Sequence, residues 1–309
     1  MSAGDMSSTE VTINVGVVSR LVADSFPAWA DLPVTPVAKP GVDNATYRLG
    51  SGMSVRLPRF ERWVGQVHCE QRWLPALAPH LPFTIPQPLA QGEPTAEYPF
   101  PWSVYRWLPG DRARREDLDP MLMAADLAAF LTALWSIDTT DGPPPRWDNG
   151  FRGCAIADER DSPLVESWIR ARIADRADLI DADAATAVYE SALAAPVLDG
   201  PPVWVHGDPA AGNLLAADGR LDAVIDFGTL AVGDPACDIG IAAWSWLDGP
   251  ARLRLRELLQ VDDATWARGR GWGLTAVLPN RADLAAGGDR ELRARTLFED
   301  LVADLAPST

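Results

Sequence analysis

Residues 203–215 read V-W-V-H-G-D-P-A-A-G-N-L-L, and residues 224–228 read V-I-D-F-G. A carboxylate (Asp208), a carboxamide five positions on (Asn213) and a second carboxylate (Asp226) therefore fall within one short span. Chemically, such a trio suits phosphoryl transfer. One carboxylate can take the proton of an attacking hydroxyl, while an amide oxygen and the other carboxylate hold Mg2+ against nucleotide phosphates. Magnesium favours this because it binds few protein oxygens and fills its other positions with phosphate oxygens and water. The same residue types also serve as plain turn and cap chemistry, so the elements that carry them must decide.

Residues 214–226, L-L-A-A-D-G-R-L-D-A-V-I-D, read as a hairpin with Asp218-Gly219 at its turn, the strongest short hairpin signal. The hairpin accounts for the gap: the chain leaves after Asn213 and returns at Asp226. D-x-x-x-x-N, then a hairpin, then D-F-G matches the kinase phosphoryl-transfer template. A single Asp-to-Asn spacing would be weak; combined with H-G-D and the hairpin it is strong. Upstream, residues 13–26 have amphipathic helical spacing. Residues 34–58 read as three short strands with turns at 41–44 and 50–52, and residues 61–78 as a helix. The Pro-rich stretch 82–101 cannot be regular helix, and 102–110, W-S-V-Y-R-W-L-P-G, is a strand closed by a Pro-Gly turn. Beyond it the spacing predicts helices over 117–137, 162–195, 237–247, 251–259 and 291–305. The expected architecture is α+β: a small β-rich front (1–102), a connecting strand (103–109) and a larger, mostly helical back (110–309).

Composition narrows the function. The net charge of −16 argues against a nucleic-acid partner, since phosphate contacts need a basic surface. That charge is uneven, −2 over residues 1–102 and −14 over 103–309. No apolar run reaches the roughly 18–20 residues of a membrane span, and the polar first ten residues, expected to be disordered, lack a secretory layout. A soluble, cytoplasmic protein with no membrane partner is expected. Cys69, Cys154 and Cys237 form no CxxC, and His68, His80 and His206 form no HExxH, which argues against disulfide frameworks and zinc. There is no G-x-S-x-G, which disfavours a hydrolase. Lys39 is the only lysine, so the abundance of arginine reflects composition and not every arginine marks a site.

H-G-D-P-A-A-G-N-L-L, V-I-D-F-G and G-D-P-A-C-D (233–238), with G-V-D-N-A-T-Y-R-L, S-V-R-L-P-R and E-Q-R-W-L-P-A-L in the front half, resemble the aminoglycoside phosphotransferase family. These are small-molecule kinases with a two-lobed, protein-kinase-like fold. The resemblance spans about residues 13–305 and is most specific over 203–238. It implies a nucleotide-binding lobe over 1–102, a hinge at 103–109 and an acceptor cleft in 110–309. It implies ATP or GTP and Mg2+ as cofactors, Asp208 as catalytic base, and Asn213 and Asp226 as metal ligands. His206 would hold the loop, and Asp238 would bond the loop backbone from a following helix.

The nucleotide end matches the family less closely. In place of a Gly-rich loop, the turn at 41–44 with Asn44 is the candidate cover for the phosphates, a plain turn being the other reading. The position of the kinase lysine is Arg56, which can grip two phosphate oxygens but with its own geometry; Lys39 is its rival. Glu70 is the candidate ion-pair partner, and the connector backbone near Arg106 and Leu108 would receive the base. Many members carry His where this chain has Trp135. For the acceptor, the family layout nominates Asp158, Glu159, Asp161, Trp244, Trp246, Glu299, Asp300 and Asp304, with solvated faces and core packing as the plainer readings. The acidic back half favours a cationic, aminoglycoside-like acceptor. A macrolide, an amino alcohol or a sugar metabolite is the alternative, and a pseudokinase without turnover is the competitor from another class.

Overall fold

The computed structural model describes residues 11–38, 41, 43–114, 117–157, 162–278, 281–282 and 288–305. The first ten residues, with the expectation of disorder placed on them, lie outside that set. The chain divides into two compact units. One runs up to Pro79 and adds Thr84–Pro109 and Asp226–Gly228; the other holds His80–Phe83, Gly110–Ile225 and the chain from Thr229 on.

The first unit is a five-stranded antiparallel sheet of β1 (Val34–Pro36), β2 (Asn44–Leu49), β3 (Met53–Pro58), β4 (Pro88–Gly92) and β5 (Trp102–Arg106), in the order β1-β2-β3-β5-β4. The three expected strands are β1–β3; β4 emerges from the Pro-rich stretch as a sheet edge, where prolines cost least. Helix α1 (Val15–Ser25) starts at Asn14, whose side chain accepts from the Val17 amide at 3.1 Å. Its stripe Val18, Leu21 and Val22 joins Leu49, Val55, Leu57, Trp102 and Val104 in the core. Helix α2 (Val64–Leu77) buries Gln66, Val67, Glu70, Leu74 and Leu77 at helical spacing. A glutamate on that buried stripe needs a partner, and it has one in the site described below.

The second unit is mostly helical. Helix α3 (Pro120–Trp135) is capped by Asp119, which accepts from Met121 N (2.8 Å), with Pro120 in the first turn. Asp126 of α3, 4 % exposed, accepts from Arg220 Nε (2.9 Å) and Leu221 N (3.3 Å). It thereby anchors the hairpin of β8 (Leu214–Ala217) and β9 (Arg220–Val224). Asp218 (φ 51°) and Gly219 (φ 75°) form the turn with two positive φ angles, as Asp-Gly predicts. A short β6 (Asp111–Arg112) extends this sheet, and β7 (Val203–Val205) pairs with β10 (Ala231–Gly233).

The expected helix over 162–195 is two helices, α4 (Ser162–Ala174) and α5 (Ala182–Ala194), because Asp181 caps the second by accepting from Ala184 N at 2.9 Å. Helices α6 (Ala236–Trp246), α7 (Gly249–Leu259) and α9 (Gly288–Ala303) follow expectation, but α8 (Asp263–Val277) was not foreseen. Its G-R-G-W-G run weakens any helical reading of the sequence. Packing explains it: a Cβ on Gly240 of α6 would lie 2.0 Å from the Gly269 carbonyl oxygen of α8, so the helix backbones touch.

Candidate active site

In the first unit, register sets the geometry. Arg56 of β3 stands opposite Ser103 of β5, so Tyr105, two residues along, shares its face. Arg56 Nη1 lies 3.2 Å from Glu70 Oε1 on α2, and Nη2 lies 2.7 Å from Asp226 Oδ1. The Tyr105 hydroxyl donates to Glu70 Oε2 in a short contact, and its ring centre lies 5.7 Å from the guanidinium carbon. Burial alone would lower the Arg56 pKa, but Glu70 and Asp226 outweigh it and hold the guanidinium above its ordinary value. Burial pushes Glu70 up, with Arg56 pulling against it. Asp226 is 44 % exposed and sits at φ 67°, a left-handed conformation uncommon for a residue with a Cβ.

The other nominated residues of this unit are placed differently. Asn44 is not on an open turn: it is the first residue of β2, opposite Pro58, and buried. Lys39 lies outside the described residues. The Arg106 amide donates to the Gln87 carbonyl (2.9 Å) and is spent there, whereas Leu108 lies beyond the last ladder hydrogen bond.

In the second unit, β7 delivers the chain into His206-Gly207-Asp208. Asp238 of α6, fully buried, accepts from His206 N (2.8 Å) through Oδ2 and from Gly207 N (2.6 Å) through Oδ1. Burial pushes Asp238 up to about 7, against the pull of the two amides. His206 Nδ1 receives the Asp208 amide (3.2 Å), so the ring proton sits on Nε2, which donates to the Ile225 carbonyl (3.1 Å). A neutral imidazole thus staples the loop to the end of the hairpin. Asn213 Nδ2 reaches both the Asp208 carbonyl (2.9 Å) and Asp208 Oδ2 (3.0 Å). With its nitrogen committed to Asp208, Asn213 has Oδ1 left as the atom to offer a metal ion. The Asn213 carbonyl in turn accepts from the Ile225 amide (2.8 Å), immediately before Asp226.

Gly207 has φ 86°, and a Cβ there would lie 2.7 Å from the Thr229 carbonyl oxygen, 2.8 Å from Thr229 Oγ1 and 2.9 Å from Arg152 Cβ. Thr229 Oγ1 donates to the His206 carbonyl (2.8 Å), and Asn149 Nδ2 donates to the Thr229 carbonyl (3.2 Å). The glycine of H-G-D is therefore a steric requirement of this chain. Sequence reasoning also missed Asp234 of G-D-P-A-C-D. Its side chain accepts from Ala236 N (3.0 Å), at the first residue of α6, and takes both Nε (2.7 Å) and Nη2 (3.3 Å) of Arg268, a pair almost wholly buried. The motif spacing marked Asp234, but its partner lay on the unforeseen α8.

Trp244 and Trp246 are 0 % and 2 % exposed, with Trp244 packed on Trp266 at 4.8 Å, so both are core. Asp300 pairs with Arg252 (3.4 Å), and Asp304 takes Arg270 Nη1 (3.3 Å) and Trp266 Nε1 (2.9 Å), so their charges are internally answered. Glu299 is exposed on α9, and Asp158, Glu159 and Asp161 lie outside the described residues. Trp135 closes α3 half-buried. Among the described residues no three His, Cys, Asp or Glu side chains cluster as a metal cage. Each unit offers an oxygen donor, Asn213 Oδ1 in one and the part-exposed Asp226 carboxylate in the other, and oxygen is the donor type that Mg2+ takes. Among the described residues no helix is long and apolar enough to cross a membrane.

Over residues 34–272 the sequence matches the model of the APH, or phosphotransferase enzyme, family, and the chain belongs to that family. It is a small-molecule kinase, a phosphotransferase with a hydroxyl group as acceptor. Its fold is the two-lobed α+β fold of solved aminoglycoside phosphotransferases. The GDP and kanamycin complex of APH(2″)-IIIa aligns with TM-score 0.65 at 18 % identity, covering 94 % of this chain and 99 % of that one. The streptomycin–ATP ternary complex of APH(2″)-IIa aligns with TM-score 0.56 at 20 % identity, covering 95 % and 97 %. The macrolide 2′-phosphotransferase MphH of Brachybacterium faecium aligns with TM-score 0.55 at 21 % identity, covering 94 % and 98 %. A search of curated protein sequences returns no match.

Proposed function

We propose that this chain moves the γ-phosphate of ATP or GTP, with Mg2+, onto a hydroxyl of a cationic, aminoglycoside-like antibiotic in the cytoplasm. The observation that carries the chemistry is the Asp208–Asn213 tie, in which one carboxamide both steadies a carboxylate and presents a free oxygen. In this reading Asp208 Oδ accepts the proton of the acceptor hydroxyl, and Asn213 and Asp226 would hold Mg2+, which when bound neutralises charge on the phosphates. Arg56 grips phosphate oxygens with the N–H groups that Glu70 and Asp226 leave over. Asp238 and His206 keep the loop backbone in place from below. Residues 1–102 serve the nucleotide, 103–109 the hinge and 110–309 the acceptor.

The charge of −14 over residues 103–309 favours a polyamine acceptor. A second reading, a macrolide, draws on the internal pairing of Asp300 and Asp304, which removes two of the acids that would greet a polycation. Both are separated by measuring ADP or GDP release with aminoglycosides, macrolides and amino alcohols. The expected result is turnover with an aminoglycoside whose Michaelis constant rises severalfold from low to high salt, while that of the nucleotide changes less. Preference for a macrolide, or a salt-insensitive acceptor constant, would overturn the cationic assignment.

A further inference from the structure

Arg56 carries an unusual load. Its two terminal nitrogens face two different carboxylates, Glu70 at 3.2 Å and Asp226 at 2.7 Å, so one positive charge is shared between two negative ones. Glu70 is only 3 % exposed, and water cannot stabilise or orient its carboxylate. A lysine at this position would meet one carboxylate as a point charge; the guanidinium fork meets both, but only while each carboxylate keeps its angle. Asp226 is held by backbone conformation. Glu70 ends a flexible side chain, and what fixes its second oxygen is the Tyr105 hydroxyl. Both oxygens reach Arg56 Nη1, Oε1 at 3.2 Å and Oε2 at 3.4 Å, and Oε2 takes the Tyr105 hydroxyl as well, which fixes the carboxylate's angle toward the guanidinium. The Tyr105 ring, on the same sheet face as Arg56, also lies under the guanidinium.

We propose that Tyr105 is a positioning residue for nucleotide binding: its hydroxyl fixes Glu70 so that Arg56 stays spread between Glu70 and Asp226, aimed for phosphate. This rests on the proposed role of Arg56 toward nucleotide. The Tyr105 hydroxyl donates to Glu70, and Tyr105→Phe keeps the ring beside Arg56, so the effect of losing the hydroxyl is carried by Glu70. The same unit supplies a matched control. Tyr98 is equally buried, and its hydroxyl donates to the Pro58 carbonyl at 2.7 Å with no carboxylate involved.

The test is equilibrium titration of ADP and GDP into the full-length wild type, Tyr105→Phe, Tyr98→Phe, Glu70→Gln and the Tyr105→Phe/Glu70→Gln double variant, with a thermal melt of each. Tyr105→Phe keeps the ring and removes the hydrogen bond to a charged group, so the nucleotide Kd should rise about tenfold, with the acceptor Michaelis constant unchanged. Tyr98→Phe should lower the melting temperature comparably and leave the nucleotide Kd within about twofold. On the Glu70→Gln background, adding Tyr105→Phe should cost less than about twofold, because the relay is already cut. A Tyr105→Phe Kd equal to wild type, or a full tenfold loss persisting on the Glu70→Gln background, overturns the inference while leaving the kinase reading intact. A wild type that binds neither nucleotide overturns both.

Discussion

Replacing Gly207 by alanine asks whether the H-G-D loop is built as tightly as its contacts imply. The new Cβ would meet the Thr229 carbonyl at 2.7 Å, Thr229 Oγ1 at 2.8 Å and Arg152 Cβ at 2.9 Å, all below any ordinary carbon contact. Thr229 cannot retreat freely, because its hydroxyl holds the His206 carbonyl and its own carbonyl holds Asn149. A positive φ on an L-residue costs about 1–2 kcal/mol, and displacing packed neighbours adds about 1–3 kcal/mol. The folded state should therefore lose about 3 kcal/mol, read as a shift of the urea midpoint. Function should suffer more, since Asp208 follows the strained residue directly. A displacement of about 1 Å at a catalytic group costs on the order of a hundredfold. The assay is acceptor-dependent ADP or GDP release alongside nucleotide titration. The expected outcome is kcat down about a hundredfold with nucleotide affinity nearly unchanged. Near-wild-type kcat in Gly207→Ala would refute the steric account of the loop.

Asp238 has a folded pKa of about 7 against an ordinary value of 3.8, so the folded state holds a proton that the unfolded state releases first. Its stabilising contribution is full below pH 4 and is lost as pH rises through 7, with a slope approaching about 1.4 kcal/mol per pH unit; Asp238→Asn should flatten urea-midpoint curves over that window. Arg268→Ala strands the carboxylate of Asp234 in the core and should cost about 3–5 kcal/mol by denaturant titration, whereas Arg254→Ala, on an exposed pair, should cost less than about 1 kcal/mol. Gly240→Ala places a methyl 2.0 Å from the Gly269 carbonyl oxygen and should destabilise the second unit by about 3 kcal/mol or more, visible as an early unfolding phase.

What the sequence made legible was local. Asp218-Gly219 announces a turn that only residues tolerant of positive φ can make, and the structure places that turn between β8 and β9. Asp208 and Asn213 are close enough in sequence for one loop to join them, whereas Asp238, which bonds His206 and Gly207 from α6, was legible only through its G-D-P-A-C-D motif. Features decided by distant backbone contact were not legible. Glycines 269, 271 and 273 argue against a helix by propensity, yet α8 packs closely because Gly269 and Gly273 let it press against α6 and Gly271 against Ala192 of α5. Having missed α8, sequence reasoning also missed Arg268 as the partner of Asp234. Asp300 of α9 and Asp304 just beyond it looked like free charge because their arginines, Arg252 and Arg270, come from α7 and α8. Trp244 and Trp246 looked available because a sequence shows no neighbours; in the fold they fill the core. Tyr105 could have been suspected from the buried stripe of α2, where Glu70 demanded more than one donor.

The central claim is that Asp208 accepts the acceptor's proton while other residues hold the nucleotide. Single-turnover transfer of labelled γ-phosphate to an aminoglycoside, compared between wild type and Asp208→Asn, tests it most directly. The carboxamide introduced by Asp208→Asn can still receive the Asn213 side chain but is too weak a base, so transfer should slow by about 10²–10⁴-fold while nucleotide Kd stays within about threefold. Transfer at near-wild-type rate in Asp208→Asn, or its loss solely through failure to bind nucleotide, would contradict the assignment.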